Sequence, residues 1–344
     1  MVCEKNTLWL TFCALLLLAT IFGCSSQEEV TFLDDRAGLL SQAERAHLVQ
    51  YNAALLDDLD IHFKLIVLKE KADDINELAA ELFGDLGKRT KGAKGLLFLV
   101  DPVNQQVRIE VGYDLEQVFP DIFIGYLERA QMIPFFEVGR VGHGIEAAME
   151  LLIDRMQRGV AGYAFDPDQE FPDLDFFSGG AGARSSAVIG AKTIGQQKER
   201  SAERDTFQPQ GTPEETLQRY MQVLQNHVKD SQLPLFTPET RAFFSKWVVT
   251  DAQQDNELRS LRERTEGKVL RSGNYAVLRY PLKSRLQSPY FFRKGNDGWM
   301  LDFATMSRVL RMNHKNMWMM KSMEHPYMFA FADWSFDRNG FPVK

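Results

Sequence analysis

A chain of 344 residues with 44% hydrophobic and 25% charged content is close to the globular average, which excludes one extended disordered polymer and allows two buried cores. The formal charge of −7 is uneven: residues 1–211 carry 20 Lys and Arg against 33 Asp and Glu, and residues 212–344 carry 20 against 14. The halves therefore suit different partners, and the basic half has no Lys/Arg block interleaved with aromatics, so composition argues against nucleic acid.

All three cysteines, Cys3, Cys13 and Cys24, fall in the first 24 residues. The rest of the chain has no disulfide, no thiol nucleophile and no cysteine zinc site. Lys5 and the chain amine precede an apolar run over residues 8–22, too short to span a bilayer comfortably, and this reads as an export signal. Its end, Ile21-Phe22-Gly23-Cys24, resembles the bacterial lipobox. That resemblance implies a signal peptide over 1–23, a lipidated (palmitoylated) Cys24, and a spacer over 24–29. With Ser25 and Ser26 next and no Asp at the second mature position, it also implies the outer rather than the inner membrane, facing the periplasm. Acyl chains at about 0.8 kcal/mol per buried CH2 would hold the protein at the membrane. An uncleaved N-terminal anchor helix is the alternative.

Residues 30–160 read as one domain. Ser41-x-x-Glu44 ahead of Leu48, Tyr51 and Leu55 is a capping box and predicts a helix over 42–59. Phe63-Lys64-Leu65-Ile66-Val67-Leu68 and Gly95-Leu96-Leu97-Phe98-Leu99-Val100 predict buried strands. Between them Ile75, Leu78, Ala79 and Leu82 mark a helix over 74–86. Val107, Ile109 and Val111 alternate with Arg108 and Glu110, and Asp101-Pro102-Val103-Asn104 has turn chemistry, so the last two strands form a hairpin. Helices over 115–132 and 141–156 complete an α/β mixed sheet with helices on both faces.

Residues 161–211 are rich in Gly, Ser and charge and read as a linker; the glycines lack a Gly-Lys-Ser/Thr ending, which argues against a phosphate loop. Thr212-Pro213-Glu214-Glu215 restarts order with a second capping signature. A helix, then antiparallel strands at 275–280, 290–294 and 299–303 with a Gly295-Asn296-Asp297-Gly298 turn, predict an α+β curved-sheet domain over 212–344. Its tail is rich in Met and aromatics from Met317 to Trp334, a pattern more often core or domain contact than a ligand box.

Residues 30–158 resemble the TPM family, soluble domains of bacterial envelope and thylakoid-lumen proteins. The resemblance rests on Asp35-x-x-Gly38-Leu39-Leu40-Ser41, on the Gly95–Val100 strand with Val107-Arg108-Ile109-Glu110-Val111-Gly112-Tyr113 and Leu115-Glu116, and on Pro134-x-Phe136-x-x-Gly139 with Gly144. The family usually has Asp-Asn where this chain has Ala93-Lys94, and glycine where it has Asp114. Residues 212–312 are similar to the nuclear transport factor 2-like fold through the capped helix and Gly298-Trp299-x-x-Asp302.

Asp34, Asp35, Asp114 and Glu116 lie near predicted strand ends, where open α/β sheets gather ligands, and four carboxylates suit a hard divalent cation such as calcium. The alternative is that Asp114, Glu116 and Asp121 stabilise a helix N-terminus. His143, between Gly142 and Gly144, is the histidine in the most open context, with a polar helix-start role as its plain reading. No Gly-x-Ser-x-Gly nucleophile motif occurs. Some TPM relatives are described as acid phosphatases, which the resemblance implies as an expectation. The leading reading is a lipid-anchored, non-catalytic envelope protein whose TPM-like domain contacts envelope proteins or binds metal. A metal-dependent phosphatase and a structural tether in an envelope complex remain the alternatives.

Overall fold

Ser41 and Glu44 each satisfy the other's backbone amide, at 3.3 and 2.7 Å, and this closed capping box starts α1 (Gln42–Leu59). The computed structural model describes residues 31–90, 94–162, 185–186, 189–192, 204–263, 266–282 and 285–343. The proposed signal, Cys24 and much of the proposed linker lie outside these residues. Residues 33–344 form one compact unit.

The N-terminal part is a five-stranded mixed sheet in the order β1 (Leu33–Asp35), β2 (His62–Val67), β3 (Gly95–Asp101), β4 (Gln106–Val111), β5 (Ser185–Ser186). The first three strands are parallel, and β4 and β5 each pair antiparallel with the preceding strand in that order. Every residue of β3 is buried, as its unbroken apolar run requires of a central strand covered on both faces. One face packs Ile66, Leu97 and Leu99 against Ile75 and Ala79 of α2 (Ile75–Thr90). The other carries Phe63 and Phe98, edge to face at 5.3 Å. The β3–β4 turn is built by buried Asp101, whose carboxylate accepts the Ala72, Val103 and Asn104 amides at 2.8, 3.0 and 2.9 Å.

The helix expected over 115–132 does not start there. Tyr113–Leu115 is a single 3-10 turn, and Pro120, at φ −66° and ψ 158°, is the N-cap of α3 (Asp121–Tyr126). Proline disfavours helical backbone at the residue before it, so Leu115 and Phe119 look periodic without belonging to one helix. A π-helical stretch, Leu127–Met132, joins α3 to α4 (Ile133–Glu137), and α5 (Val141–Val160) follows. No helix among the described residues is long and apolar enough to cross a membrane.

Described pieces of the 161–211 segment hold backbone hydrogen bonds. Ser185–Ser186 extends the sheet, Gly190 and Lys192 donate to the Phe136 and Glu137 carbonyls at 2.9 and 2.8 Å, and Phe207 is buried in the second core.

The C-terminal part packs α6 (Pro213–Gln225), α7 (Pro238–Phe244) and α8 (Asp251–Glu263) with an antiparallel sheet of β6 (Lys268–Ser272), β7 (Tyr275–Arg279), β8 (Tyr290–Lys294) and β9 (Trp299–Leu301). Thr212 and Glu215 form the second capping box. Gly298 turns β8 into β9 at φ +136°, and a Cβ there would stand 2.4 Å from the Gln210 carbonyl oxygen, so only glycine fits. A short α9 (Phe303–Val309) leads into β10 (Leu310–Met312), which pairs with β11 (Trp318–Met320). β12 (Ser335–Phe336) and β13 (Pro342–Val343) form a last two-stranded pair.

The Met/aromatic tail is core. Trp318, Met320, Tyr327 and Phe331 are buried in one cluster with Phe291, Phe292 and Leu301 of the sheet. Tyr327 stacks on Phe291 at 4.3 Å and donates its hydroxyl to buried Asp302 at 2.7 Å. That carboxylate also caps α9 by accepting from Thr305.

Candidate functional site

The strand register separates the four carboxylates that the sequence groups together. Asp35 lies level with Val67 and Val100, whereas β4, reversed by the hairpin, ends with Val111 level with Leu96. Asp114 and Glu116 therefore follow the opposite end of the sheet, about 13 Å away for four strand residues at 3.3 Å each. At one end, the Asp35 side chain is fully buried, accepts the Leu39 and Leu40 amides at 3.1 and 3.0 Å, and pairs with Arg45. Asp34 pairs with Arg36 at 2.7 Å at the surface. At the other end Asp114 and Glu116 are exposed around the 3-10 turn, beside Tyr113, which is 79% exposed; Asp121 opens α3. Among the described residues no three His, Cys, Asp or Glu side chains are placed to hold a metal ion together.

A different set does come together. α1 and α5 lie side by side, and three pairs join them at a constant offset of 99 residues, which makes the helices parallel and in register. His143 Nδ1 meets Glu44 Oε1 at 2.9 Å, His47 Nδ1 meets Glu146 Oε1 at 3.1 Å, and the Tyr51 hydroxyl donates to Glu150 Oε1 at 3.2 Å. The spacing follows from helical geometry: positions 44, 47 and 51 share one face of α1, and 143, 146, 150 and 154 share one face of α5. The glycines beside His143 make room for this contact. A Cβ on Gly142 would stand 2.3 Å from the Glu44 carboxyl, and one on Gly144 would stand 2.9 Å from Phe135 and Phe136. His143 is thus a half-exposed helix-start residue with a carboxylate partner.

The row changes character along its length. Burial would raise the Glu44 carboxyl, but hydrogen bonds from Ser41 and the neighbouring His143 hold it below the usual range. Burial raises Glu146, with His47 and His143 opposing and Glu44 adding to the rise. The Glu150 side chain stays exposed, but the protein crowded around it removes part of its water and pushes it up to about 6, with Glu146 repelling its charge and the Tyr51 hydrogen bond opposing. Next along α5, burial raises Asp154 while Arg259 and Arg158 oppose it.

Glu150 and Asp154 stand in the wall of a cavity of about 680 Å³. One side is α5; the other is the apolar surface of the C-terminal core, including Tyr220, Leu224, Phe236, Phe244, Phe303 and Met306. Three large hydrophobic residues that remain exposed, Trp247, Leu286 and Met312, also line it. Polar contacts across the junction hold these walls together. Asp154 pairs with Arg259 at 3.1 Å, Arg158 pairs with Glu263, and the Thr250 hydroxyl donates to buried Gln131. Asp255 accepts the Tyr126 hydroxyl at 2.5 Å and meets His227 Nε2 at 2.7 Å. Burial and the Asp255 charge raise the Tyr126 hydroxyl well above its ordinary value, so it stays a proton donor.

The cavity was not foreseen from the sequence. Its polar wall had one legible trace, the 150, 154, 158 spacing on α5; its apolar wall is discontinuous in the chain and carries no local pattern.

This arrangement, a mixed α/β sheet followed by an antiparallel sheet with helices, is that of a two-part α/β plus α+β protein. Residues 33–155 match a family model labelled TPM phosphatase and described as the TPM domain. Among solved structures, the chain is similar to the solution NMR structure of the N-terminal domain of a protein from P. gingivalis. The two are 23% identical over 41% of this chain and 90% of that one, with a TM-score of 0.35. No curated protein matches the chain.

Proposed function

We propose that this is a lipid-anchored, non-catalytic protein of the bacterial cell envelope that holds a small ligand between its TPM domain and its C-terminal part, and contacts envelope proteins. The observation that carries the ligand reading is the cavity: about 680 Å³ lies within the range of small-molecule sites, with one apolar wall and a few placed polar groups. The non-catalytic reading is supported by how the charged groups are occupied. Asp35 and Asp101 hold backbone amides, and Arg158 and Arg259 hold carboxylates. The anchoring reading is supported by the apolar run of residues 8–22 followed by Gly23-Cys24.

The test uses the full chain in nanodiscs and a neutral, environment-sensitive aromatic dye. One saturable dye site per chain, lost in the Leu286→Asp/Met312→Asp variant, is the expected result; both residues are exposed, so the substitutions leave the cores intact. Dye binding indifferent to those charges would refute the cavity as the site. Anchoring is checked by acyl-chain labelling, which should be lost in Cys24→Ala.

The family model's label favours a second reading, metal-assisted phosphate ester hydrolysis. Turnover of a generic phosphomonoester with calcium or magnesium, abolished by Asp35→Ala or Asp114→Ala, would establish it over the binding reading.

A further inference from the structure

The charges lining the cavity are unbalanced. Glu150, Asp154, Asp230, Glu257 and Glu263 face Arg158, Lys229 and Arg259. Each of the three cations already has a carboxylate: Arg158 has Glu263, Arg259 has Asp154 and Lys229 has Asp251 at 2.8 Å. Asp230 is paired with Arg204. Glu150 differs from these. Its carboxylate accepts only a neutral phenol hydroxyl, from Tyr51, and no described cation pairs with it. The opposite wall adds a feature that does not depend on charge: Tyr220, Phe236, Phe244 and Phe303 line it with aromatic surface.

We propose that the cavity takes a cationic amphiphile, with an apolar or aromatic body against Tyr220, Phe236, Phe244 and Phe303 and a primary amine or ammonium head at Glu150. The inference rests on the ligand reading above and specifies its chemistry. An ammonium has donors and no acceptor, which suits a carboxylate and is opposed by nothing left unpaired on the cationic side. An anionic head would instead meet Glu150 and find every described cation of the cavity engaged. Aromatic rings give the body apolar area and add a favourable face for a nearby cation. The Glu150 carboxyl, pushed up to about 6, loses its charge under mildly acidic conditions, so the site should release an ammonium there.

The experiment compares three probes that share one body, 4-phenylbutylamine, 4-phenylbutanol and 4-phenylbutyrate. Binding to the full chain in nanodiscs is measured by equilibrium dialysis against empty nanodiscs, and by displacement of the neutral dye. The expected result is that the amine binds on the order of ten-fold tighter than the alcohol, about what one charge-assisted hydrogen bond supplies, and the carboxylate weakest. Glu150→Gln should bring amine and alcohol within about two-fold of each other. The amine preference should also fade below pH 6. If the three probes bind alike, or if Glu150→Gln keeps the amine preference, the cationic head is refuted and the cavity stands as a ligand site. If none of the probes binds and the dye does not either, both this inference and the ligand reading fall.

Discussion

Replacing Phe331 with alanine tests whether the Met/aromatic tail is structural core or a contact surface. Phe331 is 1% exposed, and its ring meets Trp334 at 5.6 Å, Trp318 at 6.2 Å and Phe291 at 6.3 Å. Truncating a fully enclosed phenylalanine removes its transfer free energy and leaves a cavity, about 3–5 kcal/mol together. The unit that unfolds is large, so each kcal/mol moves the melting temperature by only about 2 °C, and a fall of about 6–10 °C is expected. The assay is paired thermal and urea unfolding of the full chain, read by near-ultraviolet circular dichroism, which reports the packed tryptophans. Met323→Ala is the internal control: that side chain is 42% exposed, and its loss should cost less than about 0.5 kcal/mol. A Phe331→Ala cost below about 1 kcal/mol would refute the reasoning, because a ring so enclosed cannot leave so cheaply unless the tail detaches in solution.

Three further outcomes follow from the structure. Glu150 binds its proton more tightly when folded, since its pKa rises from 4.5 to about 6; its contribution favours folding at pH 4 and is lost as pH rises through 6. Glu150→Gln keeps an acceptor for Tyr51 and cannot ionise, so its melting temperature should match wild type at pH 4 and exceed it at pH 8. Tyr327→Phe removes the hydroxyl that serves the buried Asp302 carboxylate, and urea unfolding should show a loss of about 1.5–3 kcal/mol. Gly144→Val should cost at least about 1–3 kcal/mol by forcing α5 away from Phe135 and Phe136, with the loss measured by thermal melting.

Local rules carried much of the fold. Ser41 with Glu44 and Thr212 with Glu215 announce two helices because each capping box is complete within four residues. The β3 and β4 pattern announces a hairpin because burial alternates where one face is covered and is continuous where both are. The polar helix α8 escaped because its buried residues are few, Ala252, Gln254, Leu258 and Leu261, and tertiary packing rather than periodicity defines it. The carboxylate grouping went astray for a topological reason. Asp35 and Val111 both end strands, but β4 runs opposite to β1, so they lie at opposite ends of the sheet's strands. The α1–α5 row needs two segments 99 residues apart to meet in register, which no local pattern encodes.

The most direct test of a ligand site between the N-terminal and C-terminal parts is the stoichiometry of neutral-dye binding to the wild-type full chain and to Leu286→Asp/Met312→Asp. One saturable site in the wild type and none in the variant is the predicted result. Equal binding in both, or no saturable binding in either, would contradict it.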